Sequence, residues 1–158
     1  MRAVVLGIVA FGAMEPLTAM THRFVMHRFG LVWHRSHHRR GHRGFERNDL
    51  FPLCFAGVVC LALWLGFHDP ALTDLVPLAA GVTLYGAAYA VVHDVYIHHR
   101  LRWFGDRRLP VLERLAAAHD VHHRLGGAPY GMLLPVVPRR HRAPAVASRQ
   151  RVAAVPRP

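Results

Sequence analysis

The chain has no lysine, only two cysteines, and nine acidic residues against twenty arginines. The missing lysine fits a GC-rich coding bias, and no chemistry follows from it. Cys54 and Cys60 lie in one apolar stretch. On a helix, six residues separate them by about 9 Å along the axis, too far for a disulfide. They are expected to be packing residues, and nothing in cysteine usage points to an oxidising compartment. Glu-x-x-His is absent, which excludes the ferritin-like diiron bundles that draw ligands from that motif. The net charge is +11, yet no nucleic-acid recognition motif accompanies it and the arginines flank apolar runs, so no nucleic-acid partner is expected. Charged residues make up 18% and hydrophobic residues 53%, which is apolar for a soluble protein.

The apolar residues gather in three runs, 3–20, 51–67 and 75–92. A bilayer core needs about 20 apolar residues, with a range of about 17–25. Run 51–67 (FPLCFAGVVCLALWLGF) is apolar all round, whereas a helix of a soluble bundle needs a one-sided stripe. All three runs are therefore expected to cross a membrane. The first contains Glu15 and Pro16. A carboxylate within a span should face the protein interior and serve a function. The length permits one domain.

Arginine sets the orientation. Seven arginines lie between Arg23 and Arg47 and six between Arg100 and Arg124, while residues 68–74 carry Asp69 and Asp74 and no arginine. The positive-inside rule places the two arginine-rich segments in the cytoplasm. A signal peptide at the N-terminus is disfavoured, because cleavage and export would put thirteen arginines outside. The first run reads instead as a retained span with its N-terminus outside. Runs two and three then form a hairpin turning at residues 68–70.

Fourteen histidines are present, and ten fall into four blocks. His22 and His27 are spaced H-x4-H in HRFVMH. His34, His37 and His38 are spaced H-x2-H-H in HRSHH. The pair of patterns returns as His93 and His98 in HDVYIH, then His119, His122 and His123 in HDVHH. Neutral imidazole is the commonest nitrogen ligand for zinc, copper, iron and nickel. Ten ligands exceed the needs of one ion and suit two. Each residue of an α-helix advances about 100°, so i, i+3 and i+4 leave one face. Each H-x2-H-H block can share one cavity, and its last two rings, about 100° apart, can reach different metals. Residues i and i+5 diverge by about 140°. The H-x4-H blocks therefore require either a distorted helix or rings that serve different ions. His42, His68, His99 and His141 lie outside the pattern and read as ordinary polar side chains.

Topology and motif order agree, since spans two and three return the chain to one side before His93. All ten blocked histidines are then cytoplasmic. Asn48 and Asp49 precede span two as helix caps, or orient ligating imidazoles from behind. Asp94 and Asp120 follow the first histidines of blocks three and four. Each is expected to meet an imidazole of a neighbouring block rather than its own. Residues 110–123 read as a short helix with Pro110 in its first turn, broken by Gly126. Residues 130–137 are apolar but too short to span, and are expected to lie in the interface or cover the substrate mouth. Residues 139–158 read as a basic, disordered tail drawn to anionic headgroups. The expected fold is an all-α integral membrane protein under a cytoplasmic, histidine-rich helical cap.

Structural zinc commonly uses cysteine and takes four ligands. Two irons held by histidine at a membrane face point instead to dioxygen activation against a lipid C–H bond. A non-enzymatic metal carrier or sensor would place polar ligands inside its spans, and these spans carry only Glu15. The ordered blocks HRFVMH, HRSHH, HDVYIH and HDVHH resemble the fatty acid hydroxylase superfamily of membrane diiron enzymes. WHRSHH at 33–38 and FERNDL at 45–50 resemble its bacterial β-carotene 3-hydroxylase branch. The resemblance covers roughly residues 19–137 and implies a hydroxylase domain over 1–138. It implies two iron ions, replaceable by zinc during purification, with dioxygen as co-substrate and a ferredoxin-type electron donor. It further implies hydroxylation at C3 of β-ionone rings. The rival substrates are a fatty acyl chain, a sterol or a ketolated carotenoid. Superfamily members often have four spans, so three or four transmembrane helices are expected here.

Overall fold

The computed structural model describes residues 1–38 and 44–141. Its α-helices are α1 (Arg2–Thr21), α2 (Leu31–His34), α3 (Leu50–His68), α4 (Leu75–Ala90) and α5 (Pro110–Leu125), and no strand occurs among the described residues. Two π-helical segments, His22–Phe29 and Val91–Ile97, continue α1 and α4. With these extensions, three helical stretches among the described residues are long and apolar enough to cross a membrane: Arg2–Phe29, Arg47–His68 and Leu75–Ile97. The protein is an integral membrane protein of all-α class.

α4 packs against both α1 and α3. A Cβ at Gly81 of α4 would lie 2.2 Å from the Gly7 carbonyl oxygen and 2.9 Å from the Ala10 Cβ. Only glycine lets the two backbones meet there. Such close approach drives helix association in lipid, where apolar contact alone gains little. Arg2 pairs with Asp74 at the N-terminal ends of α1 and α4. The two helices therefore run in the same direction, and their histidine blocks finish at the same end. The α3–α4 hairpin closes through a 3-10 turn, Pro70–Leu72, capped by Asp69, whose side chain accepts the Ala71 N–H at 2.9 Å. That is where residues 68–70 were expected to turn.

α3 is apolar on every side and buries only Gly66 among its residues. Leu53, Val58, Leu61, Trp64 and Phe67 all face outward, as a lipid-facing helix requires. Cys54 and Cys60 are exposed free thiols. The expectation that they pack inside is corrected: α3 meets the protein along one narrow face, and neither cysteine is on it.

α5 begins at Pro110 and ends at Gly126, whose φ of 65° is the left-handed C-terminal cap. Beyond it, residues 127–137 form no helix. A 3-10 turn at Arg139–His141 opens the basic tail. Residues 142–158, where disorder was expected, lie outside the described residues.

The interior mixes polar and apolar groups, and the outer surface of the helices is apolar. His22, His34, His37, His93, His119 and His122 are buried, while Val4, Ile8, Leu61 and Trp64 are exposed. Lipid accepts exposed apolar surface, while polar groups within it must be buried and bonded; Ala10, Met14, Ala79, Val92 and Val95 are buried as well.

Candidate metal centre

His22 and His27 lie in the first π-helical segment, and His93 lies in the second with His98 as its C-cap. A π-turn bonds the N–H of residue i+5 to the carbonyl of residue i. The His98 N–H donates to the His93 carbonyl in this way at 2.9 Å. The underwound backbone carries residue i+5 back over residue i, which a straight α-helix does not do. Ring centroids consequently lie 5.0 Å apart for His22 and His27, and 4.6 Å apart for His93 and His98. Of the two expectations for H-x4-H, the distorted helix is the one found.

The imidazoles form two clusters. His22, His27, His34 and His122 bring one ring nitrogen each within 4.8 Å of the others, and so do His37, His93, His98 and His119. His38 Nε2 lies 3.1 Å from His34 Nε2, beside the first cluster. His123 Nε2 lies 3.2 Å from His37 Nε2, beside the second. The rings of His38 and His123 stack between the clusters at 4.5 Å. All ten blocked histidines thus meet in one region. In each H-x2-H-H block the i, i+4 pair goes to one cluster and the i+3 residue to the other. His34 ends α2 and the chain turns through Ser36 to His38, so block two divides without being helical, contrary to the helical expectation.

The nitrogen chemistry is specific. His22 Nδ1 donates to the Tyr130 carbonyl at 3.1 Å, and His34 Nδ1 donates to Asn48 Oδ1 at 2.7 Å. A neutral imidazole carries one N–H, and in both rings it is spent on an oxygen. Their Nε2 atoms nevertheless face each other at 3.0 Å. The second cluster repeats this. His37 Nδ1 donates to Glu46 Oε1 at 3.1 Å and His93 Nδ1 to Asp94 Oδ1 at 3.0 Å, while their Nε2 atoms face at 3.0 Å. Opposed lone pairs with no proton between them repel unless a cation lies among them. The donor set therefore fits a metal ion in each cluster, and all-imidazole ligation suits iron, zinc, copper or nickel.

Burial keeps six of the blocked rings neutral. It pushes His34 and His98 down to about 3 and His122 down to about 4. Burial likewise lowers His119, His123 and His38, helped in each case by neighbouring imidazoles. His122 is 0% exposed and His34 1%.

The four side chains expected behind the ligands divide. Asn48 orients His34. Asp94 meets His93, its own neighbour rather than a ring of another block, because the π-turn draws the two side chains together. Asp49 hydrogen-bonds none of the ten blocked imidazoles: it caps the Glu46 N–H at 2.9 Å and grips Arg100 through both oxygens at 2.6 Å. Asp120 pairs with Arg124 on the exposed face of α5. Three orienting groups escaped the sequence: the carboxylate of Glu46 and the carbonyls of Tyr130 and Gly127, the last accepting from His122 Nδ1 at 2.7 Å. Glu46 stands three residues before Asp49 in a capping-box spacing, a signal that was there to read. The carbonyls carry no signature in residue identity.

Of the histidines outside the blocks, His68 bonds the Trp64 carbonyl at the far end of α3 and His141 bonds Arg140. His99 takes a positive φ of 51°. His42 lies outside the described residues.

No protein-family model matches the chain, and no solved structure matches it. Curated relatives do. A β-carotene hydroxylase of Pseudescherichia vulneris is 40% identical over 115 residues, covering 73% of this chain and 64% of that protein. A β-carotene hydroxylase of Paracoccus sp. is 36% identical over 123 residues, covering 76% of this chain and 74% of that protein. A chloroplastic β-carotene 3-hydroxylase of Haematococcus lacustris is 38% identical over 127 residues, with 77% of this chain and 39% of that protein covered. The chain spans just under two thirds of the length of the Pseudescherichia and Pantoea ananas relatives, 64% of each.

Proposed function

The chain belongs to the β-carotene hydroxylase family, and from that premise we propose that it hydroxylates C3 of β-ionone rings, taking β-carotene through β-cryptoxanthin to zeaxanthin. The observation that carries this is the pair of all-imidazole clusters at one end of three apolar helices. Iron is the ion this reading assigns to each cluster, with the ten blocked histidines as its ligands. When bound, the iron pair would supply dioxygen activation: one oxygen atom enters the C–H bond and the other leaves as water, with two electrons from a ferredoxin-type donor and two protons from solvent. Zinc outranks ferrous iron in affinity for such nitrogens, so it is expected to replace iron in protein purified without added iron.

The chain's own contribution is positioning. Oxygen acceptors behind His22, His34, His37, His93 and His122 fix the Nδ1–H tautomer and aim Nε2 inward. Burial keeps bulk water from these nitrogens. The outward faces of the helices are apolar and suit a polyene about as long as a bilayer core is thick. A terminal ring then reaches the clusters while the polyene stays in lipid. Each end must be presented in turn, so the monohydroxylated product comes first. The arginine-rich segments support a cytoplasmic face for the clusters. A reporter fused after residue 158 should read cytoplasmic and one inserted in 68–74 external, and the reverse would overturn this orientation. Residues 1–138 make up the catalytic domain in this reading, with 139–158 a basic tail.

Expression in cells that accumulate β-carotene is the test. β-Cryptoxanthin should appear first and zeaxanthin later, only with dioxygen and reductant. Unchanged β-carotene beside a newly hydroxylated acyl lipid or sterol, or hydroxylation only of a supplied ketolated carotenoid, would overturn the substrate and keep the chemistry. No altered lipid in any host would favour a metal carrier.

A further inference from the structure

Glu15 belongs to neither cluster, yet it is the charged side chain of the first apolar run. In an apolar medium a carboxylate needs hydrogen-bond donors. Glu15 has three, from two different parts of the chain. Tyr85 of α4 donates its hydroxyl to Oε2 at 2.6 Å. The Leu133 N–H donates to Oε2 at 3.1 Å, and the Leu134 N–H to Oε1 at 2.9 Å. Those amides belong to the strap 127–137, which has no helix or strand of its own to satisfy them. Met132, buried at 3% exposure, seats the strap beside these bonds. Gly131 lies so close that a Cβ there would sit 2.5 Å from Oε1.

The same strap orients the first cluster. Its Tyr130 carbonyl accepts from His22 Nδ1 and its Gly127 carbonyl from His122 Nδ1. The Tyr130 ring also lies 5.5 Å from the rings of His22, His27 and His122. In the second cluster the strap has no such part, since Glu46 and Asp94 orient His37 and His93. We propose that Glu15 is a positioning residue for the first cluster alone. By holding the amides of Leu133 and Leu134 it fixes the strap, the strap fixes two carbonyls, and those carbonyls aim His22 and His122. The inference rests on the two-metal reading above and deepens it.

The test uses the full chain in detergent, loaded anaerobically with ferrous iron-57 and followed by Mössbauer spectroscopy and by timed extraction with a chelator. Glu46→Gln, behind the second cluster, identifies that cluster's signal. Glu15→Gln turns an amide N–H₂ toward a backbone N–H. It should shift the other signal only and make that iron about tenfold easier to extract, the lower end of what losing a group behind a ligand costs. Gly131→Ala pushes the flexible carboxylate from the strap side and should shift the same signal. Tyr85→Phe removes one bond of three and should do so less. If Glu15→Gln misfolds by circular dichroism, Gly131→Ala and Tyr85→Phe decide. Variants that leave both signals unchanged, or move both equally, overturn the proposal while the two-metal reading stands. A wild-type chain that takes up no iron overturns both.

Discussion

Each cluster combines an H-x4-H pair in a π-helix with the i, i+4 histidines of the block that follows, then takes the i+3 histidine of the other half's block. For the first these are His22 and His27, His34 and His38, then His122. For the second they are His93 and His98, His119 and His123, then His37. The ligands match one for one, but the groups behind them do not. The first cluster is backed by neutral acceptors: Asn48 and the carbonyls of Tyr130 and Gly127. The second is backed by carboxylates, Glu46 and Asp94, with Arg100 3.5 Å from the latter. The His37 hydrogen bond lowers the Glu46 carboxyl below its ordinary value, so it is ionised at neutral pH. An anion on Nδ1–H makes Nε2 a stronger donor. The repeated sequence pattern thus builds two cages of similar shape and unequal basicity, and the second should hold its ion more tightly.

The largest effects should come from the two crossed histidines. His37→Ala or His122→Ala should abolish hydroxylation, measured as zeaxanthin formed per chain, because each removes a buried ligand from the cluster opposite its own half. If either variant keeps substantial activity, the crossed assignment is wrong. His141→Ala, outside both clusters, should change nothing.

Substitution behind the ligands comes next. Glu46→Gln or Asp94→Asn should weaken metal binding at the second cluster by about 10–100-fold and leave the first untouched. Asn48→Ala should weaken only the first. Competition with a chelator under anaerobic conditions reads both. Equal losses at the two sites would erase the distinction drawn between them.

Those contrasts also show how much the sequence disclosed. Runs 3–20, 51–67 and 75–92 fall within Arg2–Thr21, within α3, and across α4 into its π-turn, because continuous hydrophobicity is the one pattern lipid demands. The ten histidines were legible because chemistry fixes their residue type. The 140° conflict at H-x4-H was visible too, and its resolution by π-turns was not, since no residue type encodes underwinding. Asp94 was placed against a neighbouring block on straight-helix geometry, and the same π-turn reversed that. Tyr130 and Gly127 act through backbone oxygen, which every residue has. Cys54 and Cys60 were read as packing residues, and both are exposed on α3.

A smaller effect should follow from cutting the ion pair beneath the second cluster. Arg100 holds Asp49 through two bonds of 2.6 Å, with side chains 21% and 14% exposed. Arg100→Ala should cost about 1–3 kcal/mol, seen as a lower Tm in detergent. Metal stoichiometry should be retained, because neither residue touches a blocked imidazole. Loss of one metal in this variant would mean that the pair also shapes the cage.

The central claim is that the repeated histidine blocks make two metal sites rather than one. Elemental analysis of the full chain, extracted from membranes and loaded with iron, tests it directly. The wild type should hold two ions per chain, and His34→Ala or His93→Ala about one. A fully loaded wild-type chain with a single ion, or none, would contradict the account.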